Sequence, residues 1–148
     1  MDFATAVKTC LTQKYAKFEG RASRPEYWWF ILAYVIGAIV VSLLGIWLLY
    51  ILYMLALIVP VTAAGWRRLQ DTGRPGWYIL IPVGLGIVTS ILAPAPGHMA
   101  GPGMGGMGGM GLVSVLSFIQ LVLVIIYIWW LSRPSDPETN AYGPPPHG

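Results

Sequence analysis

The stretch YWWFILAYVIGAIVVSLLGIWLLYILYMLALIVPVTAAGW, residues 27–66, contains forty residues and no charged side chain. As a helix it would run about 60 Å, about twice the ~30 Å hydrocarbon core of a bilayer. One straight crossing cannot use that length. The run therefore predicts two spans, 28–44 and 47–66, reversing near Gly45, where a missing side chain tolerates unusual backbone angles. A soluble bundle is a poor alternative, because the 148 residues are 56% hydrophobic and only 10% charged. Soluble domains carry about 25% charged residues, and too few polar groups remain here to wrap such helices.

A second uncharged region, 75–132, is broken by a Gly- and Pro-rich stretch at 94–111. Its flanks predict spans at 77–93 and 112–131. The expected fold is all-α, an integral membrane protein with four transmembrane helices arranged as two hairpins. Pro60 and Pro82 lie within spans and predict kinks, tolerated when neighbouring groups satisfy the freed carbonyls.

Nine Lys and Arg against six Asp and Glu give a net charge of +3. With four crossings, all nine cations share one face. Lys8, Lys14, Lys17, Arg21 and Arg24 precede the first span, Arg67, Arg68 and Arg74 separate the second from the third, and Arg133 follows the fourth. The positive-inside rule then predicts a multi-pass protein of the bacterial inner (cytoplasmic) membrane with both termini in the cytoplasm. Trp28, Trp29, Trp66, Trp77, Trp129 and Trp130 fall at the same ends, as interfacial anchors do.

The segments between the spans divide the chain into a cytoplasmic region 1–26, a membrane domain 27–132 and a disordered, Pro-rich tail 133–148. Phe3, Val7, Cys10, Leu11 and Phe18 are close to helical spacing, which suggests an amphipathic interfacial helix. Ser23-Arg24-Pro25-Glu26 has the form of a capping box opening the first span. In the loop 67–76, Asp71 is four residues from Arg67 and three from Arg68, spacings that allow pairing on one helical turn, and Gly73 is placed to end that helix. Arg21, Arg24, Arg67, Arg68, Asp71 and Arg74 are the candidate site for an anionic lipid or a partner protein, since guanidinium groups grip such oxygens in pairs.

Other chemistries are weakly signalled. No Asp, Glu, Lys, Arg or His lies inside a predicted span, which disfavours an ion-coupled carrier. His98 and His147 have no adjacent acid and hydroxyl to form a catalytic group, so the protein is expected not to be an enzyme and to need no cofactor. Gln120, Ser42, Thr62, Thr89, Ser90, Ser114 and Ser117 are expected to hydrogen-bond across helices, and the small pairs Ala33/Gly37 and Ala38/Ser42 to allow close helix approach or self-association. His98, Met99, Met104, Met107 and Met110 are candidate Cu(I) ligands in the Gly- and Met-rich outer loop, and would suit a metal-linked transporter or channel. A lone cysteine, Cys10, excludes an internal disulfide. The cations are too scattered for a nucleic-acid face; membrane lipids, another membrane protein or a second copy are the expected partners.

Three stretches together resemble the domain of unknown function 805 family of bacterial inner-membrane proteins: residues 18–28 (FEGRASRPEYW), 67–77 (RRLQDTGRPGW) and 140–144 (NAYGP). The resemblance implies a small multi-span membrane protein whose activity is not established. Gln70 stands where the family usually has His, and the Gly-Met stretch 94–111 looks like an addition peculiar to this chain.

Overall fold

The computed structural model describes residues 1–92 and 107–146, the side chains of 107–110 excepted. The chain is all-helical, with no strand among the described residues. Helix α1 (Phe3–Lys8) runs into a π-helical turn (Thr9–Gln13) and is followed by α2 (Arg24–Leu43) and α3 (Trp47–Asp71). A 3-10 turn (Gly76–Ile79) leads into α4 (Leu80–Leu92), and α5 (Met107–Ser132) is the last helix. Arg24–Leu43, Trp47–Asp71 and Gly111–Ser132 are long and apolar enough to cross a membrane, whereas Gly76–Leu92 is shorter. Among the described residues, length and composition thus mark three crossing helices where the sequence reading expected four.

The chain forms two compact units, Met1–Ile79 with Leu131–Gly148, and Leu80–Trp130. In the first, α2 and α3 make the expected hairpin. Gly45 turns it with φ 68°, the left-handed region that glycine enters without steric penalty. Tyr34 and Tyr53 stack across the pair with ring centroids 5.9 Å apart, and the Tyr53 hydroxyl donates to the Tyr34 carbonyl at 2.7 Å. A Cβ at Gly37 would collide with that hydroxyl. The small face at Gly37 therefore serves packing within the chain.

Helix α3 runs unbroken through Pro60. Proline has no N–H, so the carbonyl four residues earlier, at Ala56, loses its helical donor. The Tyr15 hydroxyl donates to that carbonyl. The N-terminal segment thereby repairs the one gap that proline opens in α3.

The first unit buries its core toward one end. Ala6, Cys10, Ala22, Phe30, Ala63, Ala64 and Leu69 are all enclosed. At the hairpin turn the reverse holds, with Leu43 81% and Trp47 73% exposed.

In the second unit, Gln120 of α5 donates to the Pro82 carbonyl of α4 at 3.1 Å, so this glutamine does bridge helices as expected. Four of the hydroxyls do not. Ser42, Thr62, Thr89 and Ser90 donate to carbonyls three or four residues earlier in their own helices, because a short β-hydroxyl reaches its own preceding turn more readily than a neighbour.

Candidate functional site

The end of α3 gathers two carboxylates, four cations and the C-terminal tail into one buried cluster. Helix geometry starts it. Ser23 caps α2 by accepting the Glu26 N–H at 3.3 Å, half of the expected box. The Glu26 carboxylate does not complete the box. It accepts from Lys14 Nζ at 3.1 Å and from Arg67 Nη1. Charge attraction to two cations outweighs a single neutral backbone donor here.

Asp71, the last residue of α3, is the second hub. Its carboxylate accepts from Arg21 Nε at 2.9 Å, from Arg68 Nη1 and from the Ser135 hydroxyl. Arg68 also closes the end of α5, where helix carbonyls lack intrahelical donors: its Nε donates to the Leu131 carbonyl at 2.9 Å and its Nη2 to that of Arg133. Arg67, Arg68, Asp71 and Glu26 are among the most completely buried side chains in the protein.

Arg21 ties in the tail. A guanidinium has five N–H donors, and the contacts of Arg21 match that number. Nε donates to the Asp71 carboxylate, Nη1 to the carbonyls of Glu138 at 2.8 Å and Gly143 at 3.2 Å, and Nη2 to those of Asp71 at 3.3 Å and Asp136 at 2.5 Å. The Asp136 N–H donates to the Asp71 carbonyl at 3.0 Å, and Asn140 Nδ2 to that of Gln70 at 2.9 Å. Gln70, its amide turned to satisfy both ends, donates to the Gly20 and Phe18 carbonyls at 2.7 and 3.1 Å and accepts from Trp66 Nε1 at 3.1 Å. The three motif stretches of the sequence therefore meet at one place.

Cys10 lies beside the Glu26 hub. Its Sγ is 4.0 Å from both Glu26 Oε1 and Arg67 Nη2. Burial first, and then the Glu26 carboxylate, push the thiol above its ordinary value. Such a thiol is a poor nucleophile at neutral pH.

These positions correct the expected cationic face. Of Arg21, Arg24, Arg67, Arg68, Asp71 and Arg74, only Arg24 is exposed and Arg74 is intermediate, while Arg21, Arg67, Arg68 and Asp71 are buried. A cation at a membrane surface needs only water, but one whose helix aims it at Glu26 or Asp71 is withdrawn into an ion pair. Of the two local pairings with Asp71, the one three residues away forms and Arg67 turns to Glu26 instead. Arg74 is partly exposed and donates to the Thr72 carbonyl at 3.3 Å. The tail, expected to be disordered, is held by backbone contacts between 135 and 143.

The sequence reading missed Glu26, Lys14, Ser135 and Asn140 as members. A signal existed for Glu26, a lone acid placed just inside a greasy helix, where a carboxylate needs a cationic partner. Among the Met-loop candidates, His98, Met99 and Met104 lie outside the described residues, and Met107 and Met110 begin α5 without described side chains.

Residues 15–144 match the family model described as "Protein of unknown function (DUF805)". The chain belongs to this family. It is 44% identical over 75 residues to inner membrane protein YhaI of Escherichia coli (strain K12), covering 47% of this chain and 64% of the relative. It is 37% identical over 79 residues to inner membrane protein YhaH of the same organism, covering 47% and 65%. The chain thus spans somewhat under two thirds of the length of these curated relatives. No solved structure matches it. Family, relatives and apolar helices agree on an inner-membrane protein of unknown activity.

Proposed function

We propose that the protein crosses the bacterial inner membrane four times with both termini in the cytoplasm, and acts there, without enzymatic chemistry, by binding anionic lipid. The crossing number is supported by parity. The Ala22 N–H donates to the Arg67 carbonyl at 3.1 Å, and Arg68 holds the Leu131 carbonyl. The start of α2, the end of α3 and the end of α5 therefore belong to one end of the first unit. A chain that leaves at Asp71 and returns at Leu131 makes an even number of crossings. Since α5 is long enough for one, Gly76–Leu92 is its companion; four 3-10 and thirteen α-helical residues reach about 28 Å, close to the ~30 Å needed.

The lipid reading rests on the N-terminal segment. Phe3, Leu11 and Tyr15 leave an exposed apolar edge at helical spacing, beside the exposed cations Lys8, Lys17 and Arg24. This pairing suits the plane of a membrane interface, where each cation contributes about 1 kcal/mol on an anionic leaflet. The cluster itself is committed internally, which favours a structural over a catalytic role.

Replacing Lys8, Lys17 and Arg24 together by Gln should abolish preferential retention of phosphatidylglycerol over phosphatidylcholine during purification, read by lipid mass spectrometry. Equal retention by both proteins would overturn the lipid reading. Capture of a protein partner that the triple variant no longer holds would replace it.

A further inference from the structure

The buried cluster carries more positive than negative charge. Among the described residues, the part-exposed Lys14 and the buried Arg21, Arg67 and Arg68 pair with two carboxylates, Glu26 and Asp71, so the described cations outnumber their carboxylates by two. Neutral carbonyls make up the difference, and around Arg21 three of them come from the tail: Asp136, Glu138 and Gly143. A carbonyl is a weaker acceptor for a guanidinium than a phosphate oxygen, whose bonds are charge-assisted and bidentate.

The tail is also the dissociable member of this arrangement. Arg21 holds its backbone rather than its side chains, and the side-chain anchors among the described contacts are Ser135 on Asp71 and Asn140 on Gln70. Removing residues 135–143 would leave Asp71 in place beside Arg21 and Arg68 and uncover three donors of Arg21, two on Nη1 and one on Nη2. The remaining partners are supplied by α3.

We propose that residues 135–143 form an intramolecular plug on an oxyanion site centred on Arg21, and that the phosphate of an anionic lipid headgroup competes with the plug for it. This deepens the lipid reading above and rests on it. The Asp136 carbonyl on Nη2 and one carbonyl on Nη1 stand where two phosphate oxygens would accept from the terminal nitrogens of a guanidinium fork. Arg21 remains paired with Asp71 in both states, so exchange of plug for phosphate never leaves a buried cation bare.

The test is amide hydrogen exchange on the full-length protein in nanodiscs. The reporting group is the Asp136 N–H, which is bonded to the Asp71 carbonyl when the plug is seated. Exchange there should be about tenfold faster in equimolar phosphatidylglycerol and phosphatidylcholine than in phosphatidylcholine alone, because opening becomes more populated. An anionic surface lowers local hydroxide and by itself slows exchange, so acceleration is not a surface-potential effect. Equal or slower exchange overturns the plug. Inorganic phosphate added to phosphatidylcholine discs at matched ionic strength should leave exchange slow; acceleration there overturns the lipid as the ligand's source.

Asn140→Ala removes an anchor of the plug without touching a charge, and should raise phosphatidylglycerol retention. Unchanged or lower retention overturns competition between plug and lipid. The two readings also fail separately: loss of retention in the Lys8, Lys17 and Arg24 variant together with composition-independent exchange at Asp136 would remove the plug and keep surface binding.

Discussion

The two ends of the α2–α3 hairpin are built on opposite rules. At the turn, apolar side chains such as Leu43 and Trp47 stand exposed and a Cβ at Gly45 would meet open space. At the other end, arginines and carboxylates are buried beside Ala6 and Cys10, while Phe3 and Leu11 of the N-terminal segment stay outside. In water this distribution would be inverted. It suits a chain whose apolar surface is covered by lipid tails, so that what the protein must supply for itself is partners for its polar groups. Stability should accordingly concentrate in the cluster.

The sharpest way to break that contrast is Asp71→Asn. It leaves Arg21 and Arg68 buried with one neutral amide between them, and removing one partner of a buried pair costs about 3–5 kcal/mol. Unfolding in detergent, followed by tryptophan fluorescence, should shift by that amount, whereas Leu43→Ala at the exposed turn should shift it by under about 0.5 kcal/mol. Equal effects at the two ends would end the comparison.

A smaller effect is expected where the N-terminal segment meets α3. Tyr15→Phe removes the donor that satisfies the Ala56 carbonyl freed by Pro60, a loss of about 1–3 kcal/mol for a backbone acceptor left without a partner where lipid rather than water surrounds it. The cost should shrink when Pro60→Ala is present, since residue 60 then provides its own N–H. A double-mutant cycle reads this coupling directly. An unchanged Tyr15→Phe penalty in the Pro60→Ala background would mean that the hydroxyl is not serving that carbonyl.

Legibility in the sequence follows the same division. The helical segments were readable because absence of charge over long runs is a local property, and Gly45 and the Ser23 cap sit where composition put them. The cluster was not readable, because its pairings join residues far apart: Glu26 with Arg67, Arg21 with Asp71, and Ser135 with Asp71. Spacing rules reach three or four residues, and they recovered only Arg68 with Asp71. Counting cations toward one face of a membrane says nothing about which of them find carboxylates, so nothing in that count marks Arg21, Arg67 and Arg68 as buried. The contacts of the tail were not legible for a related reason. Proline and small polar residues signal little order by themselves, and what orders this segment is the donors of Arg21 together with the Gln70 carbonyl, which accepts from Asn140.

The last contrast is at Gly73, where the apolar helix hands over to the cluster. Its φ is 74°. The Gly73 N–H donates to the Gln70 carbonyl at 3.1 Å, and the Arg74 N–H to that of Leu69 at 3.0 Å, the paired bonds of a Schellman ending. An alanine there takes a left-handed conformation at about 1–2 kcal/mol, and its Cβ would also stand 3.0 Å from Asp136 Oδ2. Gly45→Ala meets the same backbone penalty but open space. The two variants should therefore lose similar stability, read by unfolding in detergent, while only Gly73→Ala loosens the tail, read as faster amide exchange at Asp136. Tail exchange equally raised by both would show that the cluster senses the whole hairpin, and the two ends would not be independent after all.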